Sequence, residues 1–156
     1  MNKTIKKLSK PAEILGTEAT EVKDYLKRYE SEKRRADSLK EEYLQLVQLY
    51  KELTTNAPRG WRPAEQEKLN RVATSINKLP ERERAARKKC NEVKRIIDAV
   101  PGNEGDLLRK RYIECLTWDE IAARLCYSLT GVHTVHRRAL LLARDLIKAQ
   151  GITLHI

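Results

Sequence analysis

Residues 22–53 read VKDYLKRYESEKRRADSLKEEYLQLVQLYKEL. Val22, Tyr25, Tyr29, Ala36, Leu39, Tyr43, Leu46, Tyr50 and Leu53 recur in it at alternating steps of three and four, and only Glu32 breaks the register. Apolar residues at that spacing fall on one narrow stripe of an α-helix, the a and d positions of a heptad repeat. Leu26, Leu44, Val47 and Leu49 widen the stripe in places. The pattern predicts one helix from about 18 to 54, roughly 50 Å long at 1.5 Å per residue.

A second stripe follows: Leu69, Val72, Ile76, Leu79, Ala86, Cys90, Val93, Ile97 and Val100, with Glu83 as its polar break. Between the two lies Thr54-Thr55-Asn56-Ala57-Pro58-Arg59-Gly60-Trp61-Arg62-Pro63, whose Asn, Pro and Gly end a helix and make a connector. Two long helices joined this way are expected to pack as an antiparallel, coiled-coil-like hairpin over residues 18–100. Pro80 falls inside the second stripe and removes a backbone donor, so the helix is expected to kink or restart there. The heptad phase continues through it, which favours a kink or tight restart over a long loop. The two stripes make a thin core by themselves. They predict a homodimer through Tyr29, Ala36, Leu39, Tyr43, Leu46, Tyr50 and Leu53, or a surface for another partner.

The composition agrees with an all-α chain. Charged residues are 35% of the 156, aromatic residues 5%, and only 6 Gly and 5 Pro are present. That is too few turn formers for a β-sandwich, which needs one every 8–12 residues or so. No run of 18 uncharged apolar residues exists, which speaks against a membrane span. The basic start at Lys3, Lys6 and Lys7 has no apolar segment after it, unlike a secretory leader, so a cytoplasmic location is expected. Residues 1–17 keep no period, are interrupted by Pro11 and Gly16, and read as a flexible tail. Cys90, Cys115 and Cys126 are odd in number and lack a C-x-x-C pair, so they read as reduced, mostly buried side chains.

Lys and Arg number 32 against 22 Asp and Glu, a net charge of +10 that suits a polyanionic partner. The excess is spread out: +4 over residues 1–62, +4 over 63–100 and +2 over 101–156.

Pro101-Gly102-Asn103 marks a second break, and residues 101–156 read as a separate domain of shorter helices. One runs from Glu104 to Glu114. Thr117-Trp118-Asp119-Glu120 is a capping box that opens a helix from Trp118 to Leu125. After a turn at Cys126-Tyr127, Ser128 caps a longer helix from Leu129 to about Ala149. A short capped helix, a tight turn and a second capped helix make a helix-turn-helix, whose second helix enters the major groove. On that helix Val135, Ala139, Leu142, Ala143 and Leu146 share the face of Val132. Thr130, Thr134 and Arg137 fall opposite, with His133 and Arg144 beside them. The expected DNA-binding residues are Thr117, Ser128, Leu129, Thr130, Gly131, His133, Thr134, Arg137 and Arg138. Gly131, without a side chain, would let the backbone approach the duplex closely.

The run Leu116-Thr117-Trp118-Asp119-Glu120-Ile121-Ala122-Ala123-Arg124-Leu125, followed by Ser128, Val132, Val135, Arg138, Ala139 and Leu140, resembles region four of bacterial sigma factors. With Arg111-Tyr112-Ile113 before it, the segment is closer still to the ArpU and RinA-like phage regulators. The resemblance covers roughly residues 103–146. It implies a sigma-like helix-turn-helix that binds double-stranded DNA, and a phage or prophage activator of late genes, for which host RNA polymerase is a candidate partner of the hairpin in place of a second copy.

Other readings were weighed on the same residues. Trp118 fills the apolar slot before Glu120 and is expected to pack rather than stack on a base. Cys126, His133 and His136 lack a fourth ligand at sensible spacing, so no metal or other cofactor is expected. No catalytic motif is present and no enzyme is expected. Two further functions fit the architecture: a DNA-packaging adaptor like a small terminase subunit, and a sigma-like interaction module that does not bind DNA.

Overall fold

The computed structural model describes residues 17–55 and 62–154. The expected tail lies outside these residues apart from Thr17, as do residues 56–61 of the connector. The described residues form helices and short turns, with no strand among them, which bears out an all-helical chain with two long packed helices. The elements are α1 (Thr17–Thr55), α2 (Pro63–Ala99), α3 (Gly102–Leu108) continued by a wider turn (Arg109–Ile113), α4 (Trp118–Leu125) and α5 (Leu129–Ala149). The chain divides into two compact units, Ser31–Lys89 and the two segments that flank it.

Within Ser31–Lys89 the two long helices run antiparallel. Lys89 Nζ lies 3.9 Å from Glu32 Oε1 and Arg87 Nη2 3.4 Å from Asp37 Oδ1. Farther out, Val47 and Tyr50 share a cleft with Ala73 and Ile76. Helix α2 is continuous through Pro80 and does not restart. The heptad phase explains this: Leu79 and Ala86, on either side of the proline, are both buried on the inner face. The polar breaks of the stripes are the glutamates at this end. Glu83 accepts from Arg87 Nε at 2.9 Å, while Oε2 of Glu32 is buried with no hydrogen-bond partner.

The stripe that predicts a homodimer is used in part inside the chain. Ala36 is 0% exposed and packs within its own hairpin. Leu39, Tyr43, Leu46, Tyr50 and Leu53 are half-buried, and Leu44 stands 56% exposed. A stripe read from one helix does not reveal which partner covers it.

In the other unit the first turns of α1 and the last turns of α2 pack with the C-terminal helices. Val22, Tyr25 and Leu26 of α1 and Val93, Ile96, Ile97 and Val100 of α2 share one core with Leu107, Leu108, Ile121, Val132, Ala139, Leu140 and Ile147. Tyr29 packs against that core half-buried. The break at Pro101 is therefore a turn within a compact unit, whose limits along the chain fall at Glu30 and Cys90. Tyr25 Oη donates to Glu92 Oε2 at 3.1 Å, and Cys90 Sγ donates to the Tyr29 carbonyl at 3.6 Å. Glu18 near the start of α1 holds Arg144 at 3.2 Å and Lys148 at 2.7 Å, and its carboxyl is lowered chiefly by the Lys148 bond.

Two glycines make the α2–α3 corner. Gly102 sits at φ +68, a region that costs other residues. A Cβ on Gly105 would collide with the Val100 carbonyl oxygen and stand 2.9 Å from its carbon, so only glycine lets α3 pass this close.

Candidate nucleic-acid interface

The capping box at Thr117 forms as its residues dictate. Thr117 Oγ1 accepts from Glu120 N at 3.3 Å, and Thr117 N donates to Glu120 Oε2 at 2.8 Å. The Thr117 hydroxyl is thereby engaged in starting α4. Cys126 closes α4 in the left-handed region at φ 57, and Tyr127 N donates back to the Ala122 carbonyl at 3.0 Å. Tyr127 Oη accepts from Asn103 Nδ2 at 2.8 Å, which ties the turn to the start of α3.

Ser128 caps α5 by accepting from Gly131 N at 3.0 Å. A Cβ on Gly131 would meet Ser128 Oγ at 3.2 Å and Tyr127 Cβ at 3.6 Å. The glycine therefore leaves room for the cap itself, a reason closer at hand than the approach of a duplex. Along α5, Val132, Val135, His136, Ala139, Leu140, Ala143 and Ile147 are buried. Leu129, Thr130, His133, Thr134 and Arg138 are exposed. Leu142, expected on the inner face, is 38% exposed, because the buried stripe turns towards Leu140 and Ala143.

The basic residues differ from the helical projection. Arg144, expected beside the outward face, is half-buried on Glu18. Arg137 is half-buried, whereas Arg138 is exposed with its Nε 3.7 Å from Glu104 Oε1. Thr134 Oγ1 donates to the Thr130 carbonyl at 3.0 Å, so its proton is spent within the helix and the oxygen can only accept.

An aromatic cluster supports this face from behind. Trp118 is half-buried, with Arg111 Cζ 4.4 Å from its ring centroid and the rings of His133 and His136 at 5.0 and 4.6 Å. Its packing role is as expected, and it orients His133. Arg111 also donates from Nη1 to the Leu116 carbonyl at 2.9 Å. It reaches there from the wider turn, where Glu114 N bonds to the Arg109 carbonyl at 3.0 Å, five residues back. The sequence carries no clear signal for such a turn. Of the cysteines only Cys90 is buried; Cys115 and Cys126 are exposed, since both sit at helix ends with positive φ.

Comparison with protein-family models, with curated proteins and with solved structures finds no match for this chain.

Proposed function

We propose that the chain is a sequence-specific DNA-binding transcription regulator of phage or prophage type. In this reading α4 and α5 form a sigma-like helix-turn-helix, and α5 enters the major groove of double-stranded DNA. The observation that supports it is the two-sidedness of α5. Thr130, His133, Thr134 and Arg138 face solvent from a capped helix start, while Val132, Val135, Ala139 and Leu140 hold the other side in the core. The amides of Leu129 and Thr130, in a helix's first turn, have no intrahelical acceptor and suit a phosphate oxygen. Thr134, left as an acceptor, suits the amino group of adenine or cytosine. The hairpin serves self-association or contact with RNA polymerase.

Selection of preferred sites from random duplexes tests the reading. Thr130→Ala and Thr134→Ala should each weaken preference for the selected site by ~0.5–1.5 kcal/mol, the worth of a single hydrogen bond, if they touch base edges. Two folded variants with unchanged preference would remove α5 as the reader. Leu129, 48% exposed in the first turn, favours a protein partner in that event.

A further inference from the structure

We propose that the hairpin carries a second polyanion-binding surface, separate from α5, that grips the phosphate backbone of a nucleic-acid duplex without reading its sequence. The charge of the Ser31–Lys89 unit is unevenly placed. Residues 31–40 and 78–89 hold ten basic and four acidic residues, whereas residues 41–77 hold five of each. Two runs some fifty positions apart thus carry six of the chain's ten excess charges.

Folding sets these runs side by side. The ion pair of Arg87 with Asp37 spans the two helices and marks one flank of the hairpin. Helix neighbours three or four positions away share that flank. On α1 these are Lys33 and Lys40; on α2 they are Arg84, followed one helical turn later by Lys88. All four are exposed. Of the flank's acids, Asp37 and Glu83 both bond to Arg87, and Glu41, one turn after Asp37, accepts from Gln45 Nε2 at 3.5 Å. Among the described residues no carboxylate pairs with Lys33, Lys40, Arg84 or Lys88.

A duplex fits this arrangement better than the other polyanions. The four exposed cations lie along two packed helices, and a duplex presents one phosphate charge per ~1.7 Å of its axis. A membrane surface would be held more firmly by apolar side chains between the cations, and Leu79 and Ala86 at this level are buried. The surface deepens the regulator reading by adding affinity for any sequence, and it rests on that reading only for the identity of the polyanion.

The test uses the full chain and a random-sequence duplex, titrated across a salt series. Lys33→Ala, Lys40→Ala, Arg84→Ala and Lys88→Ala, combined in one variant, should lower the slope of log affinity against log salt by about 3.6. The charge-keeping set Lys33→Arg, Lys40→Arg, Arg84→Lys and Lys88→Arg should hold the wild-type slope. Thr134→Ala should change site preference and leave the slope alone, so failure of α5 as reader is seen separately. A combined alanine variant with an unchanged melting curve and an unchanged slope overturns the proposal. So does loss of binding to anionic phospholipid vesicles with duplex binding intact.

Discussion

Tyr112 Oη lies 2.8 Å from His136 Nε2, both side chains buried between the wider turn and α5. The rings stack at a 6.0 Å centroid distance, and Trp118 meets His136 edge-on. Burial pushes the Tyr112 hydroxyl up. Burial first, and then the neighbouring Lys23, His133 and Arg111, hold His136 down at about 3. Both groups are neutral at ordinary pH, and one proton bridges phenol oxygen and imidazole.

That pair makes stability depend on pH. An unfolded histidine titrates near ~6.5, well above the folded value. Above that pH both states are neutral and the group adds no slope. As pH falls from about 6.5 towards about 3, the unfolded chain takes up the proton first and stability is lost. Urea unfolding should show His136 contributing about 2 kcal/mol less stability at pH 5 than at pH 7. His136→Gln, which can still accept from Tyr112, should flatten that part of the profile. An equal pH slope in the variant would show that His136 is not its source.

Gly105→Ala should be among the most damaging substitutions of its size. Its methyl group would enter the Val100 carbonyl. Thermal or urea unfolding should register a loss of about 2–3 kcal/mol, as overpacking against backbone does. Gly102→Ala, strained by its positive φ but sterically open apart from the Glu104 side chain, should lose about 1 kcal/mol.

Glu32→Leu should stabilise the chain. Glu32 occupies an inner stripe position at 15% exposure, its Oε2 lacks a partner, and Lys89 approaches only to 3.9 Å. Replacing such a poorly matched charge with an apolar side chain should add about 1–2 kcal/mol. A lower midpoint in urea would mean that the carboxylate stabilises the hairpin in a way its contacts do not display.

Glu104→Gln should tighten binding to duplexes of any sequence. Glu104 is the carboxylate that Arg138 faces, and its loss releases that guanidinium to a phosphate. Titration at two salt concentrations should show the salt slope steepening by about one. Folding should barely change, since Arg138 is exposed and the 3.7 Å pair is loosely held. Unaltered affinity would place Arg138 outside the contact surface.

The helices, their order and most of their ends follow from local chemistry that a linear reading captures. Heptad spacing sets α1 and α2, and the caps at Thr117 and Ser128 start α4 and α5 where their side chains reach the third amide on. The burial of Val132, Val135 and Ala139 against the exposure of Thr130 and Thr134 follows from the 3.6-residue period alone. Tertiary structure decided what lay across those faces. Ala36 proved to be covered by its own hairpin, Arg144 to be held by Glu18, and Arg138 to face Glu104. Each partner lies tens of residues or more away in sequence, and a periodic pattern states which face is buried without naming what buries it. The wider turn at Arg109–Ile113 and the burial of the Tyr112–His136 pair likewise depend on how α3, α4 and α5 fit together. So does the cationic flank, since the spacing of Lys33 and Lys40 from Arg84 and Lys88 along the chain conceals that antiparallel packing brings their helices level.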